Sequence, residues 1–257
     1  MPQGGLARRA TLIRQVREAA QGPVLVLDAG NTLMGGDLAS QSEGRLQVEA
    51  MNLMGYDALA VGPLELSKGI EVLQERAAEA AFAVLACNLV WSESQAPVLE
   101  PYIILGREGL RLAIIGVTNA EALQGLERLS PGVALLDPVE RVAHYVAEVR
   151  PQADVVVVLS YLGLEADRAL AGAVEGIDVI VGGRSRRLLR EPQVVNGTAI
   201  IQAGYDGEWL GRLEIGGYVH ALETVGYDVL YMRPEVADDP ALAELIGRYQ
   251  PDEGAEE

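Results

Sequence analysis

Asp178-Val-Ile-Val-Gly-Gly-Arg-Ser-Arg-Arg187 is the stretch on which the fold turns. A β-branched run enters two glycines, the pattern of a buried strand ending in a tight turn. Residues just past such a strand project from its carboxyl end, where open α/β sheets place ligands. Asp154-Val-Val-Val-Val-Leu159 and Pro23-Val-Leu-Val-Leu27 have the same continuous apolar character, expected of strands covered on both faces.

Working outward, helical and strand patterns alternate. Residues 6–20 form an amphipathic helix with Leu6, Ile13 and Val16 toward the core. A helix near 43–54, a strand near 57–61 and a helix near 66–80 lead to a strand at Ala83-Val-Leu-Ala86. Strands at 101–105 and 111–117 precede an irregular stretch to Leu136. Asp137-Pro138 opens a helix with an N-cap residue and proline at the first position. After the strand at 154–159 come a helix to about 175 and a strand at 177–181. Beyond Pro192 the pattern is all-β, with strands at 193–195, 199–203, 208–215 and 218–232 and a hairpin signal at Gly216-Gly217. A last helix runs over Pro240–Tyr249. No internal repeat or long linker divides the chain, so residues 1–250 read as one domain and 251–257 as an acidic disordered tail.

Several motifs occur in series. They are Gly4-Gly-Leu-Ala-Arg-Arg-Ala-Thr-Leu-Ile13, Leu27-Asp-Ala-Gly-Asn31, Met51-Asn-Leu-Met-Gly-Tyr-Asp-Ala-Leu-Ala-Val-Gly-Pro-Leu-Glu-Leu-Ser-Lys-Gly69 and Ala86-Cys-Asn-Leu89. Leu112-Ala-Ile-Ile-Gly-Val117, Leu159-Ser-Tyr-Leu-Gly163 and Asn196-Gly-Thr-Ala-Ile-Ile-Gln-Ala-Gly204 follow, ahead of and behind Gly182-Gly-Arg-Ser-Arg186. In this order and spacing the chain resembles the calcineurin-like metallophosphatases, most closely the amino-terminal domain of their 5′-nucleotidase branch. The resemblance implies an α/β fold of two mixed β-sheets flanked by helices. It also implies that the family's first strand is absent here, since its Asp-x-His strand lies upstream of the helix that opens this sequence.

The resemblance further implies a site of two divalent metals, which clamp phosphate and activate water. Carried over residue by residue, the bridging aspartate of that site falls on Asn31. The asparagine and histidine of Asn-His-Glu fall on Pro63 and Leu64, and the aspartate of the catalytic dyad on Ser67. The histidine of Ser-His-x-Gly falls on Tyr161, and those of Gly-Gly-His-Ser-His on Arg184 and Arg186. Only Glu65 of the set is retained, in a supportive position. An arginine offers a metal no lone pair, so no cofactor is expected and the two metals are not expected to bind. The two histidines, His144 and His220, lie outside the motifs and read as satisfied or solvated surface residues.

Other chemistries lack their signatures: there is no phosphate loop, no Cys-x-x-Cys and no Gly-x-Ser-x-Gly elbow. The formal net charge of −17 opposes binding to nucleic acid or anionic membranes. No apolar run approaches the roughly 18–20 residues of a membrane span, and the amino terminus carries no signal-peptide pattern, although the family is often exported; localisation is left unknown. Cys87, the single cysteine, reads as a buried structural thiol.

The leading expectation is a catalytically inactive domain acting as a scaffold or interaction subunit. Its partner, or a second copy, would cover the place of the missing strand, unless the chain boundary simply falls downstream of that strand. The alternative is a phosphate- or nucleotide-binding module in which Arg184 and Arg186, on one side of an extended chain, hold an anion. Against it stands the simpler reading that these arginines neutralise Asp28 or Glu65, or reach solvent beside Arg187 and Arg190. An active metal-dependent phosphoesterase acting on nucleotides is the least favoured alternative.

Overall fold

A computed structural model describes residues 5–125, 128–218 and 221–250. The first half builds α1 (Leu6–Ala19), β1 (Leu27–Asp28), α2 (Asp37–Gln41), α3 (Arg45–Met54), β2 (Ala58–Ala60), α4 (Pro63–Leu66), α5 (Ile70–Glu79) and β3 (Ala83–Leu85). Then come β4 (Leu89–Trp91), β5 (Tyr102–Arg107), β6 (Leu110–Thr118), β7 (Val133–Leu135), α6 (Pro138–Val149), β8 (Val155–Tyr161), α7 (Leu164–Ala173) and β9 (Val179–Gly182). The chain continues through β10 (Gln193–Val195), β11 (Thr198–Ile201), β12 (Trp209–Tyr218), β13 (Ala221–Tyr231) and α8 (Pro240–Tyr249).

Two main sheets stack face to face. Strands β1-β2-β3 form a parallel three-stranded sheet, and the second has the order β10-β11-β9-β8-β6-β5 with antiparallel outer pairs. Period-two alternation sorts side chains into layers. Val155, Val157 and Leu159 of β8 join Ala58, Ala60, Leu85, Leu112 and Ile114 between the sheets. Val156 and Val158 turn the other way, onto Val142 and Val146 of α6 and Leu170 of α7. The three-stranded sheet is backed by α1, α3, α5 and α8 through Ile13, Met51, Leu73 and Leu245. Helix, sheet, sheet and helix are thus successive layers, the α/β sandwich the sequence implied. Asp137 and Asp239 cap α6 and α8 as their sequence patterns require, accepting from Glu140 N and from Ala241 N and Leu242 N. No helix among the described residues is long and apolar enough to cross a membrane.

The spacing between the sheets depends on Gly116. A Cβ there would sit 2.3 Å from the Leu85 carbonyl oxygen, so only a bare Cα lets β6 approach β3.

Four sequence expectations are corrected. Pro23–Leu27 is not a fully covered strand: only Leu27–Asp28 pairs, with β2, and of the run only Val26 is buried, because β1 is the edge of its sheet. Gly216-Gly217 do not form the hairpin turn but belong to β12, paired with Glu223 and Leu222 of β13. The stretch before Leu136 is not wholly irregular: Ala120–Leu123 is a 3₁₀ turn, and β7 pairs antiparallel with β4. The helix expected near 66–80 starts later, as α5 at Ile70, because Gly69 turns at φ 95°, and the separate short α4 precedes it. The tail 251–257 and His220 lie outside the described residues.

Edges β1 and β12 share a setting without sharing hydrogen bonds. Val24 and Val26 lean on the helix-backed layer, and Leu25 and Leu27 on the inter-sheet layer. Leu210 and Leu213 of β12 divide between the same two layers. Yet among the described residues β1 pairs only with β2, and β12 only with β13.

Candidate functional site at the carboxyl ends of the strands

The ends of β1, β2, β8 and β9 meet at one rim. At Gly183, just past β9, a Cβ would lie 3.2 Å from both Cβ and O of Ala29 and 3.3 Å from Cδ2 of Tyr161. At Gly62, past β2, it would lie 3.2 Å from Asn31 Oδ1 and from Glu65 Oε2. Glycine at both points lets turns from different strands touch, bringing Asn31, Glu65, Tyr161 and the arginine turn together.

Glu65 is the buried hub of the β1 and β2 side. It is fully enclosed, and its two carboxylate oxygens accept four backbone N–H bonds. Oε2 takes those of Asn31 and Gly62, each at 2.8 Å. Oε1 takes those of Thr32 and Leu33, at 2.6 and 2.9 Å. Burial pushes its carboxyl above the ordinary range, and the four donors oppose that shift. Asn31 sits at φ 69°, a left-handed conformation that asparagine tolerates. Its Oδ1 accepts from Leu64 N at 2.8 Å. Pro63 starts α4, where its missing N–H costs nothing, and Ser67 Oγ donates to Leu64 O at 2.7 Å. The polar groups retained here are therefore spent on holding the turn.

Tyr161 closes the β8 side. Burial raises its hydroxyl, with the Glu65 charge adding to the shift and Arg184 and Arg186 opposing it. The arginines are not on an extended segment as expected. Arg184 has φ 58° and Arg186 φ 54°, and Ser185 N donates back to Gly183 O at 2.7 Å, so the chain folds on itself. Such conformations cost a non-glycine residue about 1–2 kcal/mol. Arg184 Nη1 donates to Leu162 O at 3.3 Å. Arg186 pairs with neither Asp28 nor Glu65. It binds both oxygens of Asp206, at 3.0 and 3.1 Å, and lies 4.5 Å over the ring of Tyr205.

Sequence reasoning missed Tyr205 and Asp206. Their signal is a turn-forming Gly204-Tyr-Asp-Gly207 just ahead of β12, which places an acid at the rim without marking its partner. His144 is a surface residue, its Nε2 4.0 Å from Glu148. Cys87 is buried, and burial pushes its thiol up to about 12, as fits a structural residue.

As ligands for two divalent ions these residues do not fit. Pro63 and Leu64 offer no side-chain donor atom, and Arg184 and Arg186 bring positive charge. Asn31 and Glu65 have their oxygens turned onto backbone N–H groups. Among the described residues no cluster of three or more His, Cys, Asp or Glu side chains is placed to hold a metal.

No protein-family model matches the chain. A calcineurin-like phosphoesterase from Bacillus subtilis shares the fold, with a TM-score of 0.84, 21% identity and coverage of 97% of this chain and 89% of that one. A 5′-nucleotidase precursor from Thermus thermophilus superposes with a TM-score of 0.86 at 32% identity, over 96% of this chain and 53% of that one. The 5′-nucleotidase of Vibrio cholerae is 26% identical over 298 residues, 96% of this chain and 54% of that protein. The chain thus spans about half the length of the curated relatives it matches first. These likenesses place the chain in the calcineurin-like metallophosphatase superfamily. Within it, the chain is a domain of the 5′-nucleotidase type.

Proposed function

We propose that this chain is a noncatalytic metallophosphatase domain that serves as a scaffold or interaction subunit. The observation that carries this is the use made of Asn31 and Glu65. Their oxygens, at positions where the family places a bridging ligand and a supporting acid, bond the backbone of Leu64, Gly62 and residues 31–33. Two-metal hydrolysis needs a free bridging oxygen at the place of Asn31, and histidines besides. The test is hydrolysis of nucleotides and of a generic phosphate ester with Mn²⁺, Zn²⁺ or Mg²⁺. Turnover above a no-enzyme control, copurifying with the protein through a second column, would overturn the reading.

The strand edges support a partner face. Both β1 and β12 lean on the same two core layers, and among the described residues neither strand pairs with the other. An extended segment from a partner or a second copy would add a strand at such an edge. Native purification as a partner-free monomer would count against this.

A second reading, a phosphate- or nucleotide-binding module, is favoured by the gathering of Tyr161, Arg184 and Arg186 at one rim. Asp206 competes for Arg186, so an anion would have to displace it. Thermal stabilisation by phosphate or AMP should vanish in an Arg184→Ala, Arg186→Ala double variant. Equal stabilisation of variant and wild type would remove that site.

A further inference from the structure

Beneath the arginine turn lies an acid with no part in the site. Asp167, in the first turn of α7, is fully buried. Its Oδ1 accepts from Ser160 Oγ at 2.5 Å, and Ser160 Oγ accepts in turn from Leu162 N at 3.1 Å. Its Oδ2 is buried with no hydrogen-bond partner. That oxygen points at Gly182: a Cβ there would lie 2.5 Å from it. The last residue of β9 therefore rests directly on an unpaired carboxyl oxygen.

We propose that Asp167 is a proton-operated latch beneath the Gly182–Arg186 turn, closed when the carboxyl is neutral and released when it ionises. Burial raises this carboxyl to about 7, while the Ser160 hydroxyl pulls weakly the other way. The charged groups on the elements packed around it are engaged elsewhere. On α7, Arg168 bonds Glu165 and Gln193. Beside β9, Asp178 pairs with Arg150. On β8, Tyr161 interacts with Glu65 and the two arginines, and Arg184 reaches Leu162 O. From β11, Ile201 presents its backbone toward Gly182, and the neutral Gln202 accepts from Ser185 Oγ at 2.7 Å and donates to Gly183 O. An ionised Asp167 thus gains one hydrogen bond and no counter-charge, and a buried charge so placed is costly.

Relief comes most directly from above, by lifting Gly182 and the turn so that water reaches Oδ2. The bonds that would open are Gly183 N to Ser160 O and Leu164 N to Ser185 Oγ. The latch sets the turn's conformation whatever the rim binds, so it stands independently of both functional readings.

Two measurements test it. Carbon NMR of the wild-type protein should give the Asp167 carboxyl a midpoint near neutrality; a midpoint below 5 overturns the proposal. Amide hydrogen exchange of Gly183 and Leu164, corrected for intrinsic rates, should show about tenfold more opening at pH 8.5 than at pH 6. Asp167→Asn, which cannot ionise but can still accept from Ser160, should abolish that increase. An unchanged pH dependence in the variant also overturns it. Should the variant not fold, the carboxyl midpoint and the wild-type exchange profile decide the matter alone.

Discussion

The side-chain oxygen of Asn31 accepts the backbone N–H of Leu64 at 2.8 Å, tying the turn after β1 to the start of α4. Asn31 occupies the position where the resemblance implies the bridging metal ligand, and Leu64 the position of the histidine of the catalytic dyad. Here one braces the backbone of the other. Asn31→Ala should cost about 2 kcal/mol, combining an unpaired N–H with a left-handed φ that alanine resists. Chemical denaturation reads it directly, and a change below 0.5 kcal/mol would contradict this role.

Glu65 must offer acceptors on both oxygens, because all four neighbours are N–H donors. Glu65→Gln keeps the shape but turns an NH₂ group toward two of them. The expected loss is about 3 kcal/mol, seen as a lower denaturation midpoint at unchanged slope. A variant as stable as wild type would show that the hub is dispensable.

Gly116→Ala should destabilise by about 3 kcal/mol, since its methyl would meet the Leu85 backbone at 2.3–2.5 Å and push the sheets apart. Neighbouring Val117→Ala would instead leave a void on the helix-facing side of β6. Comparing crystal structures of the two variants distinguishes widening from collapse.

At Arg184, glycine and alanine should part company. Both remove the contact to Leu162 O, but only glycine suits φ 58°. Arg184→Gly is expected to be about 1 kcal/mol more stable than Arg184→Ala. Equal stabilities would mean that the turn relaxes in both.

Asp167 has a pH signature in global stability. Its carboxyl is raised from 3.8 to about 7 by burial, so between these values the folded state holds a proton the unfolded chain has lost. Stability from this group is full below pH 3.8, falls by up to about 1.4 kcal/mol per unit as pH rises, and levels off above 7. The stability difference between wild type and Asp167→Asn should follow that curve, cancelling the other carboxylates. A flat difference would place the folded midpoint near its ordinary value.

The fold was legible in the sequence because its strongest signals are local and regular. Asp154-Val-Val-Val-Val-Leu159 alternates between two apolar layers, and Asp137-Pro138 and Asp239-Pro240 mark helix starts. Pro23–Leu27 misled because its composition matches a covered strand, whereas coverage depends on neighbours distant in sequence. The extended reading of Arg184 and Arg186 failed for a related reason. Gly182 and Gly183 permit close approach to Asp167, Ala29 and Tyr161, and the turn that follows carries bonds from Ser185 N to Gly183 O and from Arg186 to the distant Asp206, which no local pattern marks.

Residue types alone determined that the rim carries proline, tyrosine and arginine where the resemblance implies metal-binding groups, and leucine and serine where it implies the catalytic dyad, because side-chain donor chemistry does not depend on the fold. What those residues do was decided by tertiary structure. Glu65 becomes a hub because β1 and β2 end side by side and aim four N–H groups into one enclosed space. Arg186 turns to Asp206 because a left-handed backbone directs it there. Asp167, an ordinary acid in a helical stretch, becomes a buried and half-paired group only when β8 and β9 close over α7.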